Sequence, residues 1–236
     1  MRTAWVPLLA LWLQDSRPES RPAPVSLADL VRTLETVRTA RRARPDAVGD
    51  CLRAAVTQTT RVPQLARPVV SRGTLWFAPP DRFRLEIHEP RPSCLVLEGG
   101  SFAAFRGAES SPQATGSGGV VSIEMTELMR LPQDPGRLQV IAAQRSVTGT
   151  VSDDLIEIRI EPREREPGLF QRFRAFLLRI DRRRGDPFSL TLVGREQDST
   201  EYALQGVTWH AELPAALFRT DRLEPAPPAS RPDSRR

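Results

Sequence analysis

At 236 residues the chain has room for one domain of ordinary size or two small ones, and it can bury a core without metals or disulfides, which excludes a stapled mini-protein. Hydrophobic residues at 39% and charged residues at 27% give the composition of a folded domain. All 34 basic residues are arginine and the net charge is only +5, with acids interspersed among the bases, as in Arg159-Ile160-Glu161 and Arg163 to Glu166; a nucleic-acid binder more usually gathers its positive charge on one stripe and would need a cytoplasmic location, so no nucleic-acid partner is expected.

Lysine and asparagine are absent, and both have A-rich codons, so a GC-rich genome accounts for the arginine bias. The first residues are Met1 and a single base, Arg2, followed by a mostly apolar run to Leu13. This run of roughly 11 positions fits a secretory h-region. It is too short to span a bilayer, which takes about 20 residues. The polar, proline-rich stretch Gln14 to Pro24 gives it no amphipathic face. Residues 1–25 are therefore predicted to be a signal segment and leader for export, and the lack of an Ala-x-Ala site leaves an uncleaved anchor as the alternative.

A helix follows. Ser26 is placed as its N-cap, Asp29 lies in its first turn, and Leu27, Leu30, Val31, Leu34 and Val37 recur at helical spacing. It is predicted to end before Arg41-Arg42-Ala43-Arg44-Pro45, a basic run read as a solvated loop.

From about residue 54 the period becomes alternating. Gly73 to Phe77 reads as a strand stopped by Pro79-Pro80, and Arg82 to His88 places Phe83, Leu85 and Ile87 on one face. Cys94 to Leu97 turns at Gly99-Gly100 into Ser101 to Phe105, so these strands form antiparallel hairpins in series. Ser110 to Gly119 reads as a loop, and a second helix over Ser122 to Leu131 carries Ile123, Leu128, Met129 and Leu131 on one stripe. Strands resume at Val147 to Val151, turn at Asp153-Asp154, and continue through Ile156, Ile158 and Ile160. Phe176, Leu178 and Ile180, then Phe188, Leu190 and Leu192, then Tyr202, Leu204, Val207 and Trp209 complete the alternation. The pattern predicts a mainly β fold: one unclosed, curved antiparallel sheet with two helices packed on its concave face. Residues 221–236 are proline-rich and polar and are predicted to be disordered.

No residue arrangement points to catalysis. The chain has no Gly-x-Ser-x-Gly elbow, no phosphate-binding glycine loop and no His-Glu-x-x-His motif, and its two histidines, His88 and His210, read as surface residues. Cys51 and Cys94 with two histidines have no metal-ligand spacing, so neither metal nor cofactor is expected. In a meander the two cysteines lie about three strand spacings apart, beyond disulfide reach, and are predicted to be free.

The run Gly73-Thr74-Leu75-Trp76-Phe77-Ala78-Pro79-Pro80-Asp81-Arg82-Phe83 through Pro90 resembles the Gly-x-Leu-Trp, Pro-x-x-Phe and Pro signature of the periplasmic lipoprotein carrier family LolA. Val56-Thr57-Gln58 sits where that family has Phe-Thr-Gln, Leu97 to Phe105 is similar to its Asp-Gly strand turn, and the ending Ala215-Ala216-Leu217-Phe218 is similar to its own. The resemblance covers residues 26–220. It implies a half-barrel with a helical lid over a hydrophobic cavity, lined here by Leu30, Leu34, Phe83, Leu85, Ile87, Leu97, Phe176, Leu178, Leu190 and Leu192.

It further implies a monomeric, non-enzymatic carrier that takes lipoprotein or lipid acyl chains from an inner-membrane transporter to an outer-membrane acceptor. If that space opens to water, Phe83→Glu and Leu34→Glu are expected to fold and to lose acyl binding. Three departures stand out, the first being Arg41 to Asp50, which looks like an insertion between the first helix and the first strand. The family's arginine before the conserved proline, which ties the lid, is replaced by Pro79, and Glu98 replaces the usual aspartate. The alternative is a regulatory or structural protein of this fold that binds a protein partner in the cell envelope.

Overall fold

The computed structural model describes residues 23–107, 112–117, 120–162 and 173–222. Residues 1–22 of the predicted signal segment and leader, most of the C-terminal tail and the charged run from Arg163 to Glu166 lie outside the described residues, whereas Pro24–Val25, expected in the leader, form a strand of the sheet. The elements in chain order are β1 (Pro24–Val25), α1 (Leu27–Arg42), β2 (Cys51–Arg61), β3 (Val69–Ala78), β4 (Arg82–Glu89), β5 (Ser93–Glu98), β6 (Ser101–Arg106) and β7 (Ala114–Ser117). Then come α2 (Val120–Arg130), α3 (Arg137–Gln144), β8 (Ser146–Val151), β9 (Leu155–Glu161), β10 (Phe173–Asp181), β11 (Pro187–Gly194), β12 (Ser199–His210) and a 3-10 turn, Ala215–Phe218.

Twelve strands form one sheet in the order β1-β8-β9-β10-β11-β12-β2-β3-β4-β5-β6-β7. Two meanders, β2 to β7 and β8 to β12, are joined where β12 pairs antiparallel with β2, Leu204 opposite Val56 and Trp209 opposite Leu52. The sheet stays open between β1 and β7, giving the expected unclosed half-barrel. Alternation builds its two faces. Leu52, Phe77, Phe83, Leu97 and Phe102 align across β2 to β6, and Ile158, Leu178, Leu190 and Tyr202 align across β9 to β12. These rows point to the inner face and pack with all three helices in one apolar cluster. The intervening residues Cys51, Trp76, Cys94, Val96 and Phe105 point outward, where Leu213, Leu217 and Phe218 cover them.

Helix α1 starts as expected: the Ser26 hydroxyl accepts the Asp29 N–H at 3.1 Å. It ends later than expected, because Arg41 and Arg42 are helical. Pro45 restrains only the residue before it, and Arg41 continues the buried stripe of Leu34 and Val37. The basic run is therefore not simply a solvated loop, since Arg41 is wholly buried.

Two further expectations are corrected. Ala114–Ser117, read as loop, is the edge strand β7, paired with β6 from Ala104 to Ser101. An edge strand of small residues needs only backbone pairing and carries no apolar alternation to reveal it. Three helices stand among the described residues rather than two, because α3 was not foreseen; it spans eight residues after Pro135-Gly136 and buries only Leu138 and Ile141. Both Cys51 and Cys94 are buried free thiols, on β2 and β5 with β3 and β4 between them.

Candidate functional site

All ten residues predicted to line the cavity lie in the single inner cluster, and each is buried. Leu30 and Leu34 come from α1, Phe83, Leu85, Ile87 and Leu97 from β4 and β5, and Phe176, Leu178, Leu190 and Leu192 from β10 and β11. The structure thus brings together residues far apart in sequence. Sequence reasoning did not assign Met125 and Leu138, which the helices contribute to the same cluster. Apart from Met1, the chain's methionines are Met125 and Met129, both fully buried on α2. Unbranched thioether side chains adapt to surfaces of varying shape, and that placement was available in the sequence as a signal. The side chain of Ile123, expected on this stripe, lies outside the described residues.

The helices are held by different means. At the end of α1 the Arg41 guanidinium lies 3.7 Å from the ring centroid of Trp209, and its Nη2 donates to Asp50 Oδ1 at 2.9 Å. The Trp209 indole N–H donates to Asp186 at 2.7 Å, and Arg44 and Arg184 also pair with Asp186. Burial lowers the Arg41 pKa, partly offset by Asp50. For Asp50, burial pushes the carboxyl up, but hydrogen bonds from Arg42 and Arg41 outweigh it and hold the group below its ordinary value. Close packing continues along the helix: a Cβ on Gly149 of β8 would meet the Leu30 side chain at 2.5 Å, so any larger residue there would displace Leu30.

Two ion pairs join α2 and α3 to each other and to their connection, Arg137 with Glu127 at 2.8 Å and Arg130 with Asp134 at 3.2 Å. From α1, Arg38 Nη1 donates to the Gln133 carbonyl at 3.0 Å. Arg38 Nε and both polar atoms of the Gln133 side chain are buried without a protein hydrogen-bond partner. Where the end of α2 meets the sheet, a cleft of about 250 Å³ runs between the β3–β4 turn, the β5–β6 turn and α2, with Leu97 among its lining.

His88 is half exposed, beside Thr74 and Glu86, and His210 bonds Thr208; burial and the nearby Arg53 lower the His210 pKa. Asp153 and Asp154 are exposed at a hairpin tip, as expected. Burial pushes the Cys94 thiol up to about 12, as for an inert buried cysteine. Among the described residues no cluster of three or more metal-ligating side chains occurs.

The family described as Outer membrane lipoprotein carrier protein LolA matches residues 50–221. The chain belongs to this family. LolA-like proteins are carrier or binding proteins rather than enzymes, and the family is periplasmic. No helix among the described residues is long and apolar enough to cross a membrane. Among curated proteins, none matches this chain in sequence. Of solved structures, a LolA superfamily protein from Nitrosomonas europaea is 10% identical with a TM-score of 0.39, covering 83% of this chain and 98% of that one. A DUF1329 family protein from Desulfovibrio piger is 10% identical with a TM-score of 0.44, covering 82% and 95%. MucB, in the Pseudomonas aeruginosa MucA/MucB complex, is 13% identical with a TM-score of 0.40, covering 81% and 60%.

The LolA signature has a physical reading here. Gly73 lies beside a bulge in the β3–β4 ladder, where a Cβ would sit 1.9 Å from the Glu86 carbonyl oxygen, so a side chain there would force the strands apart. Leu75 and Phe83 face inward, while Trp76 faces outward next to the fully buried Arg84, whose guanidinium carbon is 5.4 Å from the ring centroid. Arg84 donates to the Leu217 carbonyl at 3.1 Å, which pins the family-like ending Ala215–Phe218 to the outer face. Pro79 supplies no side-chain donor to the helices.

Proposed function

We propose that this protein is a non-enzymatic carrier that shields the acyl chains of lipoproteins or related lipids in the periplasm, exported by the segment that precedes β1, with the chain from β1 (Pro24–Val25) to residue 220 as the lipid-binding half-barrel. One observation carries the reading: in a member of the LolA family, the inner face of an open sheet is apolar from β2 to β12 and is covered by helices packed on it through apolar side chains. Burying an acyl chain stabilises by about 0.8 kcal/mol per methylene, so an aqueous shuttle must offer apolar surface that is hidden when empty and reached by a moving part.

The moving part is the α2–α3 unit. Lifting it breaks the hydrogen bond from Arg38 to Gln133, exposes polar atoms that have no protein partner in the closed state, and leaves its own ion pairs intact. The acyl chain then takes the place of Met125, Leu128 and Met129 against Phe83, Leu85 and Leu97. Arg38 does here what the family arginine does elsewhere, from α1 instead of from the sheet.

A specific observation favours a second reading, a protein-binding role. The β2–β3 hairpin exposes Leu65, Val69 and Val70 at 49%, 45% and 44% at its tip. Native mass spectrometry of protein gently extracted from the cell envelope separates the two. Co-purifying acyl species are expected for the carrier, whereas lipid-free protein holding a protein partner supports the second reading.

A further inference from the structure

The cleft at the edge of α2 gives the polar part of the cargo a place. Leu97, in its lining, is 3% exposed, belongs to the inner cluster and pairs with Phe83 across the ladder. The cleft therefore touches solvent on one side and the apolar cluster on the other. An acyl chain leaving the cluster by this route sets its head among Asp81, Ser101, Thr126, Glu127 and Arg130.

The charges there are unequal in their freedom. Glu127 accepts hydrogen bonds from Arg137 Nη2 at 2.8 and 2.9 Å and from Nε at 3.1 Å. Arg130 is engaged by Asp134 at 3.2 Å. Asp81 makes no hydrogen bond or ion pair with any described residue, and its neighbour Arg82 turns to the outer face over the Phe218 ring. Among the cleft's described side chains this leaves one charge without an ion-pair partner, a carboxylate, accompanied by the hydroxyl residues Ser101 and Thr126.

We propose that this cleft seats the head of the acyl ligand and that Asp81 selects heads that donate hydrogen bonds and are neutral or cationic, such as an amide or amine, over carboxylate or phosphate heads. This rests on the carrier reading and adds the head-group class. An N–H donates to the carboxylate with charge assistance, whereas an anionic head meets like charge at a site where nearby cations are already engaged. Because Asp81 is partly open to water, the effect is modest, roughly fivefold in relative affinity.

The test uses two fluorescent probes of equal chain length, a fatty acid and the corresponding fatty amine. Each is titrated into the mature protein and its Asp81→Asn, Asp81→Arg and Asp153→Asn variants. Asp81 lies in a turn with no partner to lose, so its variants are expected to fold. The wild type and Asp153→Asn, altered at a distant hairpin, are expected to prefer the amine. The preference is expected to shrink roughly fivefold in Asp81→Asn, to reverse in Asp81→Arg, and to weaken with added salt. Equal preference in all four proteins overturns the head-group proposal alone. Failure of the wild type to bind either probe overturns the carrier reading and this proposal with it.

Discussion

The two helical parts over the inner face are held in opposite ways. The end of α1 is fastened through a buried arginine stacked on Trp209 and through carboxylates on two other segments, Asp50 and Asp186. The α2–α3 unit pairs Arg137 with Glu127 and Arg130 with Asp134 within itself, lies on apolar side chains, and, among the described residues, accepts a hydrogen bond from Arg38 of α1. Directional, desolvated contacts hold one geometry, while an apolar contact can be exchanged for another apolar surface at little cost. The difference sets α1 apart as part of the fixed body and, on the proposed carrier reading, makes α2–α3 the part that would give way to cargo.

The sharpest way to break this comparison is to place a charge under the fixed helix. A carboxylate at Leu34, 2% exposed on α1, has no route to water while the clamp holds. Leu34→Glu is expected to lose several kcal/mol, about 4 or more, and to unfold the domain, measured by urea denaturation. This replaces the sequence-based expectation that the variant folds, which did not foresee the clamp.

Arg41→Ala is next in size. Asp50 keeps Arg42 as a partner, so no orphan carboxylate results, and the loss is the stacking on Trp209 plus a cavity, about 3 kcal/mol in the same measurement. A smaller, local effect is expected for Arg38→Ala. Its global stability is expected to fall by about 1 kcal/mol or less, while hydrogen exchange accelerates in α2 and α3 and not in α1.

The pH response sharpens the same contrast. The folded pKa of Asp50 is depressed, so its contribution is fully present above the ordinary carboxylate value of about 4 and is lost as pH falls through the lower folded value. A decline of the urea midpoint in that acid range is expected in the wild type and is expected to be smaller in Asp50→Asn.

The sheet was largely legible because period-2 alternation is a local signal. Phe83, Leu85 and Ile87 could be set on one face without knowledge of their neighbours, and the ten inner residues were found that way or through the family resemblance. What escaped depended on partners distant in sequence. Nothing near Arg41 reveals that Trp209 will lie against it, and in a chain whose every base is arginine a stapling arginine looks like a solvated one. Edge strand β7 and short helix α3 escaped because neither carries a full apolar period.

The central claim is that the inner face opens to admit an acyl chain. Phe83 tests it most directly, being fully buried, paired with Leu97, and next to the cleft at the end of α2. A fluorescent fatty-acyl probe titrated into the wild type and Phe83→Glu, with circular dichroism and urea unfolding in parallel, is the measurement. The account predicts that the variant folds, because its carboxylate reaches water when α2 lifts, and that it loses probe binding. Unfolding of Phe83→Glu, or binding equal to that of the wild type, would contradict it.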